Sequence, residues 1–113
     1  MTGPMIMDDL LYQLIRKGEI QKFNEKKESG DICNFQNADF RTVDLRGINA
    51  KGVDFSNAYF RQADLRGIDF SLSKLDGASI NGAKISGAFF PDNLSAAEIL
   101  LSLEHGTRMR SKR

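Results

Sequence analysis

The chain has 113 residues, the usual size of one domain. Its 16 lysines and arginines against 15 aspartates and glutamates give a net charge of +1 with no strongly charged block, which disfavours a dedicated nucleic-acid binder. A single cysteine, Cys33, excludes an internal disulfide, and no apolar stretch approaches the roughly 18 residues of a membrane span. We therefore expect a cytoplasmic protein in a reducing compartment.

Residues 1–32 predict a helical cap. Gly3 and Pro4 oppose regular structure, so we expect residues 1–6 to be loose. Residues 7–29 place apolar side chains on one helical face, which Gly18 interrupts. No basic segment precedes the first apolar residues, so a signal peptide is not expected.

From residue 33 to residue 92 the apolar pattern has a period of five. Every fifth residue is large and apolar except Ala50, and the residue two places earlier is small or β-branched. This period fits neither a helix nor a flat strand, so the chain must turn after each five-residue step. The last position of each step is rich in glycine and asparagine, which tolerate positive φ. The predicted repeat core consists of Phe35, Phe40, Leu45, Ala50, Phe55, Phe60, Leu65, Phe70, Leu75, Ile80, Ile85 and Phe90.

These steps resemble the pentapeptide-repeat family, whose consensus is roughly A-(D/N)-L-x-x. The steps ADFRT, VDLRG and ADLRG are near the consensus, whereas INAKG and SKLDG depart from it at Ala50 and Ser73. The resemblance implies a mainly β fold, a right-handed quadrilateral β-helix of about three coils, in which residues 20 apart lie above one another. The predicted organisation is an N-terminal helical cap (1–32), a β-helix solenoid (33–92), and a C-terminal helix with a basic tail (93–113).

The C-terminal segment predicts a second, short helix. Pro91 ends the repeat because it has no N–H for pairing. Ser95 and Glu98 form a capping-box pattern, and Gly106 is the expected C-cap. We expect the basic tail over residues 107–113 to be mobile. Three apolar residues of the helix are candidates for a two-fold homodimer: Ile99, Leu100 and Leu103.

Outward positions of the repeat carry arginines beside aspartates. Stacking of residues 20 apart places Arg61 over Arg41 and Arg66 over Arg46. Two interpretations stay open: a solvated surface of weak ion pairs, or a patch that binds an acidic protein surface or phosphates. The candidate partner-binding residues are Arg41, Arg46, Arg61, Arg66, Arg108 and Arg110.

Three outward positions break the polar rule: Tyr59, Leu72 and Phe89. Leu72 and Phe89 belong to the same predicted face. Exposed apolar patches are usually covered, so we expect a terminal helix, or otherwise a partner chain, to lie over them.

No pattern predicts catalysis, a metal or a cofactor. The chain has one histidine and one cysteine, no metal-ligand set and no phosphate-binding glycine motif. His105 is expected at a helix C-terminus, where its charge complements the dipole, and Cys33 is expected to be a small buried hydrophobe.

The interpretation is therefore a non-enzymatic bacterial protein that acts as a protein–protein interaction scaffold, with an unidentified protein partner and an unknown pathway. The resemblance also implies an alternative, a DNA-mimicking modulator of DNA gyrase or topoisomerase. Residues 33–93 are electrically neutral, which disfavours this alternative.

Overall fold

A computed structural model describes residues 3–112 of the chain. The predictions for Met1, Thr2 and Arg113, at the two ends of the sequence, lie outside these residues. The helices are α1 (Leu10–Arg16), α2 (Ile20–Glu28) and α3 (Ala96–His105).

The N-terminal segment forms two helices. The carboxylate of Asp9 begins α1, because its Oδ1 accepts the backbone N–H of Leu11 at 2.7 Å and that of Tyr12 at 3.1 Å. Gly18 then adopts a φ of 79°, a left-handed conformation that glycine reaches without strain. The single helical segment predicted over residues 7–29 is therefore wrong, since residues 7–9 and 17–19 are not helical.

Residues 20 apart pair in parallel, and this confirms the predicted stacking. Asn34 pairs with Asp54, and Asp54 pairs in turn with Lys74. Between these pairs, the backbone N–H of Phe35 donates to the Asp54 carbonyl at 2.8 Å. The repeat therefore forms three levels, which we define as residues 33–52, 53–72 and 73–92.

The predicted fold class, a mainly β quadrilateral β-helix, is wrong. Within residues 3–112 all of the parallel pairing consists of isolated bridges, and no β-strand forms. The regular secondary structure of this part of the chain is the three helices. The physical reason lies in the turn that follows each bridge. After Asp44, for example, Arg46 and Gly47 form a turn in which Gly47 has a φ of 86°. A strand needs consecutive paired residues, and a turn in every five-residue step prevents that.

The core runs through all three levels. The predicted repeat-core residues are buried apart from Ile85 and Phe90, which are half-buried at the third level. The rings of Phe40 and Phe60 stack with centroids 5.5 Å apart, in planes only 11° from parallel. The inward ladder of side chains therefore joins the levels together with the backbone hydrogen bonds between them.

The N-terminal helices cover the first level. The ring of Tyr12 in α1 lies 5.3 Å from that of Phe40, and the ring of Phe23 in α2 lies 6.0 Å from that of Phe35. Tyr12 and Phe23 are fully buried. The hydroxyl of Tyr12 donates to the carbonyl of Asp39 at 2.7 Å, so its polar end is satisfied as well.

Segments from both ends of the chain extend one side of the repeat. Below the first level, the carbonyl of Met5 accepts the N–H of Asp39 in a hydrogen bond of 2.9 Å. Above the third level, the N–H of Met109 donates to the carbonyl of Ala78, also at 2.9 Å. Met109 is fully buried. Met5 and Met109 are therefore not loose or mobile as predicted for their segments, because their backbones pair with the repeat.

Candidate functional site

The aspartate or asparagine side chain at the second position of most repeat steps accepts a backbone N–H of the turn that follows. Oδ1 of Asp39 accepts the backbone N–H of Arg41 at 3.0 Å, and Oδ1 of Asp54 accepts that of Ser56 at 2.9 Å. An aspartate or asparagine side chain that bonds the backbone two residues on is a standard way to stabilise a turn. The acidic rows of the repeat therefore have a structural role at the corners.

Three of these aspartates also bind an arginine with both carboxylate oxygens. In each pair Nε donates to Oδ1 and Nη2 donates to Oδ2, with the latter distance between 2.7 and 2.8 Å. The pairs are Asp39–Arg41, Asp44–Arg46 and Asp64–Arg66. A further contact joins two levels, because Nε of Arg46 lies 3.3 Å from Oδ2 of Asp64. The two-point geometry fixes the plane of each guanidinium group.

The arginines lower the pKa of the carboxyl groups they bind. The hydrogen bond from the Arg66 side chain is the main cause that lowers the pKa of Asp64 to about 2. A hydrogen bond from Arg41 likewise holds the pKa of Asp39 below its usual value. These carboxylates are therefore charged at neutral pH, and each neutralises the arginine beside it.

Arg61 differs from the other outward arginines of the repeat. Tyr59 occupies the position where the others have an aspartate, and the Arg61 side chain makes no hydrogen bond or ion pair within residues 3–112. Tyr59 is bound instead by Arg108, whose Nη2 donates to the phenol oxygen at 2.7 Å while the guanidinium carbon lies 5.3 Å from the ring centroid. Of the four candidate arginines of the repeat, three are thus neutralised by an aspartate, and Arg61 is not.

An open cleft of about 480 Å³ lies beside Arg61. Arg16, the last residue of α1, reaches this cleft, and its Nη1 donates to the backbone carbonyl of Asp39 at 3.2 Å. The lining residues of this cleft, which we call the arginine cleft, are Arg16, Asp39, Arg41, Thr42, Arg61 and Gln62. The structure therefore brings two predicted residues, Arg41 and Arg61, together with one that the sequence did not single out.

Arg16 was missed because nothing local marks it. It is one of several basic residues in an amphipathic segment. Its position over the repeat depends on where α1 packs, and the buried side chains of Leu14 and Ile15 decide that. The predicted apolar face of residues 7–29 contained Leu14 and Ile15, but Leu10 of that face is 59% exposed. The pattern also did not indicate the part of the repeat that the helix would meet.

The two candidate arginines of the tail bind other parts of the chain. Nη2 of Arg110 lies 2.6 Å from Oε2 of Glu98, and this hydrogen bond lowers the pKa of Glu98. Arg108 donates to the carbonyl of Gly77 at 3.3 Å in addition to its contacts with Tyr59. Both arginines therefore help to attach the tail to α3 and to the repeat.

The candidate dimer residues of α3 face different surroundings. Ile99 and Leu103 are half-buried and pack against the core, whereas Leu100 is 51% exposed. The neighbouring Leu101 is 40% exposed. Of the three predicted residues, Leu100 alone presents most of its side chain to solvent.

The outward apolar residues Leu72 and Phe89 are uncovered. Their exposed fractions are 64% and 66%, so no element within residues 3–112 lies over them. The prediction that a terminal helix covers these residues is wrong. The reason is the position of α3, where the Ser102 hydroxyl accepts the N–H of Ile80 at 3.0 Å, which holds the helix on another side of the repeat.

The histidine and the cysteine, the side chains best suited to catalysis, do not line the arginine cleft. His105 lies in the last turn of α3, as predicted. Cys33 is half-buried rather than buried, and burial raises the pKa of its thiol, the opposite of what an activated nucleophile needs. Among residues 3–112 no group of three or more histidine, cysteine, aspartate and glutamate side chains is arranged to hold a metal ion. No helix in this part of the chain is long and apolar enough to cross a bilayer.

Comparison with known families gives one result for the repeat. A family model described as Pentapeptide repeats matches residues 33–71 and 54–90, with eight copies of the repeat. The matched residues together make up just over half of the chain. Comparisons with curated proteins and with solved structures find no match.

Proposed function

The chain belongs to the pentapeptide-repeat family, and we propose that it acts as a scaffold for protein–protein interaction. Proteins of this family are generally not enzymes. We propose the same for this chain, and we place it in the bacterial cytoplasm, where a single unpaired cysteine is stable. Its partner would be a protein rather than nucleic acid, because the net charge is only +1.

The observation that carries this proposal is the fixed array of outward guanidinium groups. Asp44 and Asp64 hold the planes of Arg46 and Arg66 with two hydrogen bonds each. An arginine held in one orientation loses less conformational entropy when a partner binds it. A repeat that presents such groups at regular spacing is suited to recognise a complementary surface, and it needs no catalytic centre to do so.

Affinity capture from the native host tests this proposal. The bait is the full chain, and the variant replaces the four outward arginines of the repeat with alanine (Arg41, Arg46, Arg61 and Arg66). The matched control removes three exposed repeat cations that lie elsewhere, Lys51, Lys74 and Lys84. We expect a protein partner that the wild type and the lysine control retain and the arginine variant loses. Equal capture by all three proteins, with equal melting temperatures, would contradict the proposal.

We also propose a homodimer through α3, with Leu100 at its centre. Leu100 and Leu101 are apolar and exposed on a helix that otherwise packs against the repeat. A Leu100→Glu variant of the full chain should be monomeric in light scattering if the wild type is dimeric. A monomeric wild type across a concentration series would exclude this assembly.

The alternative, mimicry of DNA at a gyrase or topoisomerase, lacks comparable support. A DNA mimic needs rows of free carboxylates, whereas Asp39, Asp44 and Asp64 are each bound by an arginine. We therefore expect no inhibition or protection of gyrase in a supercoiling assay.

A further inference from the structure

Arg61 lacks the carboxylate partner that its equivalents in the repeat have among residues 3–112. Arg41, Arg46 and Arg66 each have an aspartate two residues earlier, and the carboxylate binds the arginine with both oxygens. At Arg61 that aspartate is replaced by Tyr59. The replacement leaves one guanidinium of the repeat without a carboxylate among the described residues.

Arg61 is exposed and borders a concave part of the surface. It lines the arginine cleft, whose volume is about 480 Å³, together with Arg16 from α1 and Arg41 from the level below. The Arg16 guanidinium donates from Nη1 to the backbone carbonyl of Asp39 and also interacts with the Tyr12 hydroxyl. The end of α1 and two levels of the repeat are distant in sequence, but their arginines line the same concave space.

The charges of the cleft do not cancel. Its three guanidinium groups face a single carboxylate, that of Asp39, which Arg41 already binds through Nε and Nη2 at 2.9 and 2.8 Å. The cleft therefore keeps an excess of positive charge close to that of Arg16 and Arg61 together. Converging arginines with unused donors are a recognised arrangement for binding oxyanions.

We propose that the arginine cleft binds a short carboxylate-rich segment of a partner protein, with Arg61 as the central contact and Arg16 as the second. This inference rests on the proposed function and names the chemistry of the partner. A side-chain carboxylate accepts two parallel hydrogen bonds from a guanidinium group, and Arg61 has that fork unoccupied.

A protein segment suits the cleft better than a nucleic acid does. Binding along a phosphate backbone requires many cations in a row, whereas here the excess charge is confined to one cleft on a repeat that is otherwise neutral. The nearby Arg46 and Arg66, which would have to extend such a row, are already neutralised by Asp44 and Asp64.

The test is a titration of the isotope-labelled full chain with a synthetic oligoglutamate peptide, followed by NMR. We expect peptide-dependent shifts confined to the side-chain Nε–H signals of Arg16, Arg41 and Arg61 and to nearby amides. We expect Arg61→Ala to weaken binding by about tenfold or more, as loss of a charge-assisted contact does. Binding should also weaken as salt is raised.

The matched control is Lys51→Ala. Lys51 holds the same position of its repeat step as Arg61 and carries the same charge, but it lies outside the arginine cleft. We expect this variant to bind the peptide as the wild type does. Shifts that are absent, or that Lys51→Ala reduces as much as Arg61→Ala does, would overturn the proposal.

Inorganic phosphate provides the second arm of the experiment. If phosphate alone produces the same Arg61-dependent shifts at lower concentration than the peptide, the cleft is a phosphate site and the proposal fails. The titration needs no natural partner, so its result is independent of affinity capture. Peptide binding at Arg61 without a captured partner would uphold the cleft and contradict the scaffold function.

Discussion

Ser73 and Ala50 are the two residues that depart most from the repeat pattern, and they contact each other. The hydroxyl of Ser73 donates to the carbonyl of Ala50 at 2.7 Å, and both residues are buried. The same carbonyl also accepts the N–H of Val53 at 3.1 Å. A buried hydroxyl is stable only with a partner, so the polar residue at an inward position is explained by this bond.

We predict that Ser73→Ala destabilises the protein by about 1 kcal/mol, the typical net contribution of one such hydrogen bond. The control is Ser86→Ala, because Ser86 is exposed and its hydroxyl makes no hydrogen bond among residues 3–112. Urea unfolding of the two variants measures the difference. Equal midpoints would mean that the Ser73 hydroxyl makes no net contribution.

For single residues, the sequence predicted the positive φ at most of the turns in the repeat, but not at all of them. Asn37 and Gly47, for example, have the positive φ that their residue types indicate. Thr42 and Gln62 have φ values of 65° and 58° as well, although neither residue type favours this region. Their conformation follows from the register of the neighbouring steps, and residue identity alone does not contain that information.

The element that the sequence predicted least well is the C-terminal tail. Its basic composition suggested mobility, yet Met109 is fully buried and pairs with the third level. At the opposite end of the same side, Met5 pairs with the first level in the same way. Both segments supply the hydrogen-bonding partners that the next level would supply in a longer repeat.

We predict that Met109→Ala destabilises the protein by about 2–3 kcal/mol, because it removes a fully buried side chain and leaves a cavity. The control, Met5→Ala, keeps a comparable backbone pairing but changes a side chain that is 42% exposed. It should cost less than about 1 kcal/mol. Thermal unfolding distinguishes the two, and a Met109→Ala variant as stable as wild type would show that the tail is detached in solution.

The elements that were predicted correctly carry local signals. Ser95 accepts the N–H of Glu98 at 3.2 Å, and Gly106 ends α3 with a φ of 74°. Those residues specify the ends of a helix through contacts within a few positions. Where Met109 and α1 dock depends on long-range packing, and no local pattern encodes it.

For the whole molecule, the five-residue period predicted the register but not the fold class. The pairing of Asp39 with Tyr59, and of Tyr59 with Ser79, follows from the period. The register did not lead to a sheet as predicted, because the turns leave only isolated bridges between the levels among residues 3–112. Of the residues that line the arginine cleft, the register places Arg61 above Arg41, whereas the position of Arg16 depends on how α1 packs.

The carboxylates of the repeat couple the stability of the whole molecule to pH. Hydrogen bonds from Arg41, Arg46 and Arg66 lower the pKa of the aspartates they bind, and that of Asp64 falls to about 2. The unfolded chain has aspartate pKa values of about 3.9. Because the folded values are lower, the ion pairs stabilise the folded state above about pH 4, and this stabilisation is lost as the pH falls toward the folded values.

We predict that Asp64→Asn makes the loss of stability between about pH 4 and pH 2 shallower, because one of the titrating groups is gone. The variant should be less stable than wild type at pH 7, where it lacks the contacts of Asp64 with Arg46 and Arg66. The difference between the two proteins should narrow toward pH 2, where about half of the wild-type Asp64 carboxylate is protonated. The control is Asp92→Asn, because Asp92 is exposed and makes no ion pair among residues 3–112. Melting temperatures measured across this range should separate Asp64→Asn from the control, and parallel curves for all three proteins would show that the arginine pairs do not contribute to folding.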